Sequence, residues 1–145
     1  MIGIIVSGHA CYALGMRSAV EALAGKPRGI RFIDFTASLT TDELQFKLVK
    51  AISEIDQGDG VLILTDLPGG TPCNRAVAEM VGDRNIKVIS GANLSMIVDA
   101  CQVRKGKSLV ELTDAVVKVG RSAIKDMEQE LNQLTRMESV ITDEL

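Results

Sequence analysis

Four short apolar runs alternate with stretches of helical period, and that alternation leaves the chain very few ways to fold. Residues 2–6, 30–35, 61–64 and 86–89 are rich in β-branched and aliphatic residues, the second run more mixed because Arg31 and Asp34 interrupt it, and they end at Ser, Gly or Thr. Between them the apolar residues recur every three or four positions. Leu14, Ala19, Ala22 and Leu23 make one such face before Gly25. Leu44, Leu48, Ala51, Ile52 and Ile55 make the next, with Thr40 or Thr41 as its cap. Thr71 is placed to cap a third helix, with Pro72 at its first position and Gly82 as its stop. Asn93 is placed to cap a fourth, carrying Leu94, Ile97, Val98 and Cys101. A run of four or five apolar residues can be a strand, whereas a three-to-four spacing over a dozen residues is a helix. Strand–helix alternation implies an open, mainly parallel sheet with helices on both faces. The 61–64 run is wholly apolar, so it belongs in the centre, buried on both sides. The expected fold is α/β, with four strands in the order 2-1-3-4.

After a polar break at residues 104–107, Ser108 and Glu111 form a capping-box pattern. Leu109, Leu112, Val116, Val119, Ala123, Met127, Leu131 and Leu134 then continue at helical spacing, which predicts one long C-terminal helix. Residues 1–135 form a single expected domain, and 136–145 an acidic, frayed tail.

Composition narrows the function. The net charge is −3 with no basic block, and aromatic residues are only 3%, so neither a phosphate-tracking groove nor a stacking platform is available for nucleic acid. Cys11, Cys73 and Cys101 have no ligand or disulfide spacing and read as small buried hydrophobes of a reducing compartment. No apolar stretch reaches the roughly 20 residues needed to span a bilayer, and the chain opens directly on a strand. A cytoplasmic location is expected. Neither metal nor cofactor is expected.

In open parallel sheets, function gathers beyond the carboxyl ends of the strands, where strand order reverses. Three loops meet there: Ser7-Gly8-His9, Thr65–Pro72 by way of Asp66, and Ser90-Gly91-Ala92-Asn93. His9 is the only histidine. With strands one and three adjacent, His9 and Asp66 lie side by side. A carboxylate bonded to one imidazole nitrogen fixes the tautomer, leaves the other lone pair free to attack, and stabilises positive charge on the ring. Gly69, Gly70 and Thr71 add backbone amides, a hydroxyl and a helix N-terminus, the parts of an anion site. A nucleophilic imidazole beside such a cradle points to phosphoryl transfer. Each loop alone has a plainer reading, as a polar loop end, a turn residue or a diglycine turn; they gain weight because one fold brings them together.

These residues resemble a known family. Ile-Ile-Val-Ser-Gly-His9 and Leu-Thr-Asp66-Leu-Pro-Gly-Gly-Thr-Pro72 look like two signature loops of the mannose-type enzyme IIA domain of the bacterial sugar phosphotransferase system. Ser90-Gly91-Ala92-Asn93-Leu94-Ser95-Met96 looks like its third recurrent stretch. The resemblance covers about residues 1–103. It implies a phosphotransferase component that takes a phosphoryl group from the phosphocarrier HPr on His9. The group then passes to a cognate enzyme IIB, which phosphorylates a sugar entering through the membrane subunits IIC and IID. By motif match, Asp66 orients His9, and Gly70 and Thr71 line the phosphoryl site. The resemblance is nearest to members serving amino sugars such as N-acetylgalactosamine, and it implies a homodimer. Some members exchange a C-terminal strand between subunits. Residues 104–112 are too polar and cap-like for that strand, so the long helix is expected to supply the dimer contact instead.

Other classes fit less well. A receiver domain needs an acidic pair where Ser7-Gly8-His9 stands. A metal site would have to combine His9, Cys11, Cys73 and Asp66 at no standard spacing. A regulatory phosphohistidine module and the related phosphotransferase subunit of dihydroxyacetone kinase share the histidine and are the nearer alternatives.

Overall fold

The structure is a computed structural model and describes residues 1–144, with side chains through residue 139. Four parallel strands, β1 (Gly3–His9), β2 (Ile30–Phe35), β3 (Val61–Thr65) and β4 (Ile86–Ser90), form one sheet in the order β2-β1-β3-β4. The helices are α1 (Tyr12–Ala24), α2 (Thr41–Ile55), α3 (Thr71–Gly82), α4 (Leu94–Val103), α5 (Leu109–Ser122) and α6 (Met127–Glu144). The expected α/β architecture and strand order are both present.

Each central strand feeds two cores, because successive side chains point to opposite faces. Ile4, Val6, Leu62 and Leu64 pack with residues of α1, α4 and α5 on one side, while Ile5, Val61 and Ile63 pack with α2 and α3 on the other. All seven of these strand side chains are fully buried. Removing each from water is worth about 1.5–3 kcal/mol, which is why β1 and β3 tolerate no polar alternation. Gly3 faces Ile55 at a distance where a Cβ would fall 2.7 Å from its Cγ1, so a side chain there would push α2 off the sheet.

The helix starts follow the sequence closely. Thr40 and Ser108 each accept a hydrogen bond from an amide three residues on, and Glu43 and Glu111 complete the boxes. Asn93 accepts from the Met96 amide and also donates to the Gly120 carbonyl, tying α4 to α5.

Several details differ from expectation. Gly70, not Thr71, is the N-cap of α3, which makes Pro72 its second residue. Pro72 lacks the N–H that would otherwise be left unpaired in a first turn. The long C-terminal helix is two helices. Ala123 closes α5 by donating to Val119, and Asp126 starts α6 by accepting from the Glu128 amide, so the capping preference of an aspartate interrupts an unbroken apolar period. The helix α6 takes in residues 136–144 of the expected acidic tail, and residue 145 lies outside the described residues. Met127, Leu131 and Leu134 are exposed and do not join the core.

Cys73 is buried, but Cys11 is exposed. Arg104, read as part of a polar break, is 4% exposed. Its guanidinium donates to the carbonyls of Ile2, Gly29 and Arg28, clamping the amino ends of β1 and β2 to the end of α4.

Candidate functional site

The chain runs outward from β1 to β2, then crosses back over β1 to reach β3 and β4. The reversal falls between β1 and β3, at whose carboxyl ends the register pairs Ser7 with Thr65. The next residues, Gly8 and Asp66, are therefore neighbours, and His9 stands at the lip. Gly8 permits this closeness: a Cβ there would lie 2.9 Å from the Asp66 carboxyl carbon.

Asp66 Oδ2 accepts from the His9 amide at 2.9 Å and lies 2.8 Å from His9 Nδ1. Its Oδ1 accepts from the Leu67 amide at 2.8 Å. A carboxylate accepting from Nδ1 requires the Nδ1–H tautomer, which leaves Nε2 with an in-plane lone pair. Burial pushes the Asp66 carboxyl upward, but the backbone and ring hydrogen bonds from His9, the imidazole charge and the Leu67 amide outweigh it, and the group sits below the usual carboxylate range. Asp66 is thus ionised and engaged on both oxygens. The imidazole is 44% exposed against 16% for the carboxylate, so the reactive ring faces outward from a sheltered anchor.

Two features keep Nε2 open. The Phe35 ring stands edge-on to the imidazole, with centroids 6.1 Å apart at 69°, and limits its swing. Gly70 faces the ring on the side of Nε2, where a Cβ would fall 2.6 Å from Cε1 and 3.3 Å from Nε2. Gly70 is held by a turn in which its amide donates to the Leu67 carbonyl at 3.1 Å, with Pro68 and Gly69 between them and Gly69 at φ 77°. Proline then glycine at the two central positions is what a type II turn demands. Thr71 follows as the first residue of α3, so its amide and hydroxyl stand at the electropositive end of that helix. The structure therefore brings together His9, Asp66 and Gly70, with Thr71 directly beyond.

Residues around the pair complete the setting. Ala10 takes φ 50°, a left-handed conformation uncommon for alanine, and its amide donates to the Phe35 carbonyl at 2.8 Å. Cys11 gives α1 no side-chain cap; Asp34 supplies one from β2, accepting from the Leu14 amide at 3.0 Å. Tyr12 covers Gly8 and donates from its hydroxyl to the Ala92 carbonyl at 2.7 Å, which brings in the third loop. The only sequence signal for Tyr12 is that it is the sole tyrosine, three residues past the sole histidine.

Among the described residues, no group of three or more His, Cys, Asp or Glu side chains is placed to hold a metal ion. No described helix is long and apolar enough to cross a membrane.

The family model described as EIIA-man, PTS system fructose IIA component, matches residues 3–117. The chain is 24% identical to the PTS system fructose-specific EIIA component of Bacillus subtilis over 146 aligned positions, covering 100% of both. It is 30% identical to the PTS system mannose-specific EIIAB component of Escherichia coli over 125 residues, which are 86% of this chain but only 39% of that protein. The crystal structure of phosphotransferase system component EIIA from Streptococcus agalactiae superposes with a TM-score of 0.83 at 32% identity, over 89% of this chain and 99% of that one. With an imidazole–carboxylate pair at the switch point of a 2-1-3-4 sheet and a family match across both loops that build it, the chain belongs to the mannose-type enzyme IIA components of the sugar phosphotransferase system.

Proposed function

We propose that the chain is a phosphocarrier in which His9 receives a phosphoryl group from phospho-HPr and passes it to a cognate enzyme IIB. The observation that carries this reading is the asymmetry of the imidazole: Nδ1 is engaged by Asp66 at 2.8 Å, whereas the Nε2 edge faces a glycine. Nε2 is the nucleophile. Its lone pair attacks phosphorus as the bond from phosphorus to the donor breaks, and the donor keeps that electron pair. The ring then carries a phosphoryl group on Nε2 and a proton on Nδ1, and its positive charge is stabilised by Asp66. The Thr71 amide and hydroxyl at the start of α3 stabilise the transferring oxygens. Transfer to enzyme IIB reverses the same geometry, so neither step needs the protein to rearrange.

This role places the chain between HPr and a IIB that serves membrane subunits IIC and IID, at the cytoplasmic face, as a homodimer. The substrate is a sugar; an amino sugar such as N-acetylgalactosamine follows from motif likeness alone.

The test is incubation with phosphoenolpyruvate, enzyme I and HPr. One acid-labile phosphate per chain is expected on Nε2 of His9, none on His9→Gln, and loss of the label when the cognate IIB is added. A label that persists in His9→Gln refutes the assignment.

A further inference from the structure

We infer that Tyr12 is a positioning residue for the His9–Asp66 pair, closing a ring of contacts that locks the pair against the Ser90-Gly91-Ala92-Asn93 turn. The ring can be traced atom by atom. Asp66 accepts from His9, and Gly8 precedes His9. The Tyr12 ring lies over Gly8, so close that a Cβ on Gly8 would fall 2.7 Å from Tyr12 Cγ while also meeting the Asp66 carboxyl carbon at 2.9 Å. The Tyr12 hydroxyl donates to the Ala92 carbonyl at 2.7 Å, and the Ala92 amide donates to the Thr65 carbonyl at 2.9 Å. Thr65 precedes Asp66 and also donates to the Ser90 hydroxyl at 2.9 Å. Apart from the Thr65–Ser90 hydroxyl bond, every other link in this circuit is backbone or belongs to the pair itself. Among the described residues, Tyr12 is the one side chain whose hydrogen bond ties the start of α1, over the first loop, to the third loop.

The chemistry of the position supports the role. The phenol is pushed up to about 12, by burial first and by the charge on Asp66 second, so the ring and the carboxylate sense one another across Gly8. A neutral phenol that stays protonated keeps its hydroxyl as a donor to Ala92. An aromatic face beside Asp66 also excludes water from the carboxylate flank that the imidazole does not cover, which strengthens the Asp66–Nδ1 bond. Positioning of this kind matters because a displacement of about 1 Å in a phosphoryl acceptor can cost two orders of magnitude in rate.

The rate arm of the test rests on His9 being the phosphoryl acceptor; the geometric arm does not. The full chain is labelled with nitrogen-15 as wild type, Tyr12→Phe and Tyr12→Leu. Because His9 is the only histidine, its two ring-nitrogen shifts report the tautomer without assignment. Wild type is expected to show one neutral tautomer with the proton on Nδ1. Tyr12→Phe keeps the ring over Gly8 and should keep that tautomer, with faster exchange of the Ala92 amide and transfer from phospho-HPr slowed about threefold. Tyr12→Leu loses both contacts and should show mixed tautomers and a kcat lower by about 20-fold, with KM for phospho-HPr within about twofold. Wild-type tautomer and rate in Tyr12→Leu would overturn the inference. If that variant does not fold, unchanged Ala92 exchange and transfer in Tyr12→Phe would overturn it. A wild-type chain that accepts no phosphate on His9 defeats the phosphocarrier reading instead, and the nitrogen shifts still decide the role of Tyr12.

Discussion

Substituting Gly70 with alanine separates the chemistry of the site from its stability. Gly70 has φ −72° and ψ 166°, a conformation any residue adopts, so alanine brings no backbone strain. What it brings is a methyl group 2.6 Å from His9 Cε1 and 3.3 Å from Nε2. The imidazole must retreat by about 0.8 Å before the contact becomes ordinary. Asp66 holds that ring by a 2.8 Å bond and Phe35 stands beside it, so the retreat stretches or bends the bond beyond useful length. Losing a charge-assisted hydrogen bond costs about 2 kcal/mol, or roughly 30-fold in rate. The methyl group also shields Nε2 from the donor, so about 30- to 100-fold slower phosphorylation is expected. Folding stability should fall by only about 1–1.6 kcal/mol, because the lost contact is partly offset by about 0.4–1 kcal/mol from the reduced freedom of the unfolded chain. The assay is single-turnover phosphate transfer from phospho-HPr, with thermal denaturation of the same sample. Gly15→Ala is the control: it lies within α1 with nothing within 4 Å of its added methyl group, and it should raise stability by about 0.5–1 kcal/mol without touching the rate. Gly70→Ala labelled within about threefold of wild type would refute the claim that a glycine is needed to leave Nε2 open.

Asp66→Asn should keep the fold and slow transfer by roughly 30-fold, since the amide cannot stabilise the charged ring; wild-type rates would remove its orienting role. Because the Asp66 carboxyl is held below its unfolded value, its contribution to stability is complete above the ordinary carboxylate range and is lost as pH falls through the folded value. Urea midpoints of wild type and Asp66→Asn should therefore converge below about pH 4, and a gap constant down to pH 2 would contradict this. In the same variant the lone tyrosine, followed by ultraviolet absorbance, should ionise below the value of about 12 held in wild type yet above an exposed phenol, because burial is the larger cause. Ala10→Gly relieves a left-handed residue at φ 50° and should leave stability level or slightly higher, whereas Ala10→Val places a β-branched side chain there and should cost about 2 kcal/mol in denaturant titration. Equal midpoints for these two variants would mean that the backbone at residue 10 is not constrained.

The parts of this protein legible in its sequence are those governed by period and register. Apolar runs of four to six residues bounded by Ser, Gly or Thr are too short for helices, the segments between them keep a three-to-four spacing over a dozen residues, and the wholly apolar 61–64 run belongs at the centre. Once β1 and β3 are neighbours, parallel pairing of Ser7 with Thr65 puts His9 beside Asp66 without reference to any loop conformation. The break between α5 and α6 is hidden for the opposite reason. The apolar period runs unbroken through Ala123 and Met127, and a period cannot report a break that preserves phase. The break is local, made by Asp126 accepting from the Glu128 amide, and the signal was an aspartate followed by acidic residues, the pattern of a helix start inside a helix. Arg104 reads as part of a polar break because charge ordinarily marks solvent; three carbonyls at strand ends pair it instead.

The site itself divides along the same line. His9, Asp66, Asp34 and Phe35 are placed by the sheet, whose register sets Gly8 beside Asp34 and His9 beside Phe35, but Tyr12 is placed by the direction in which the chain leaves β1. That direction is set at Ala10, whose φ of 50° turns the backbone so that its amide meets the Phe35 carbonyl and α1 begins with Tyr12 over Gly8. A glycine at this position would have announced a left-handed turn; alanine announces nothing, since its type is compatible with every element. The conformation is maintained because the surroundings over-determine it, through the Phe35 carbonyl on one side and the Asp34 cap on the first turn of α1 on the other. Strain at residue 10 is thus the counterpart of order at residue 9. A nucleophile on the lip of a sheet would otherwise be free to rotate with its loop, and the turn that follows it converts a strand end into a fixed seat for the imidazole.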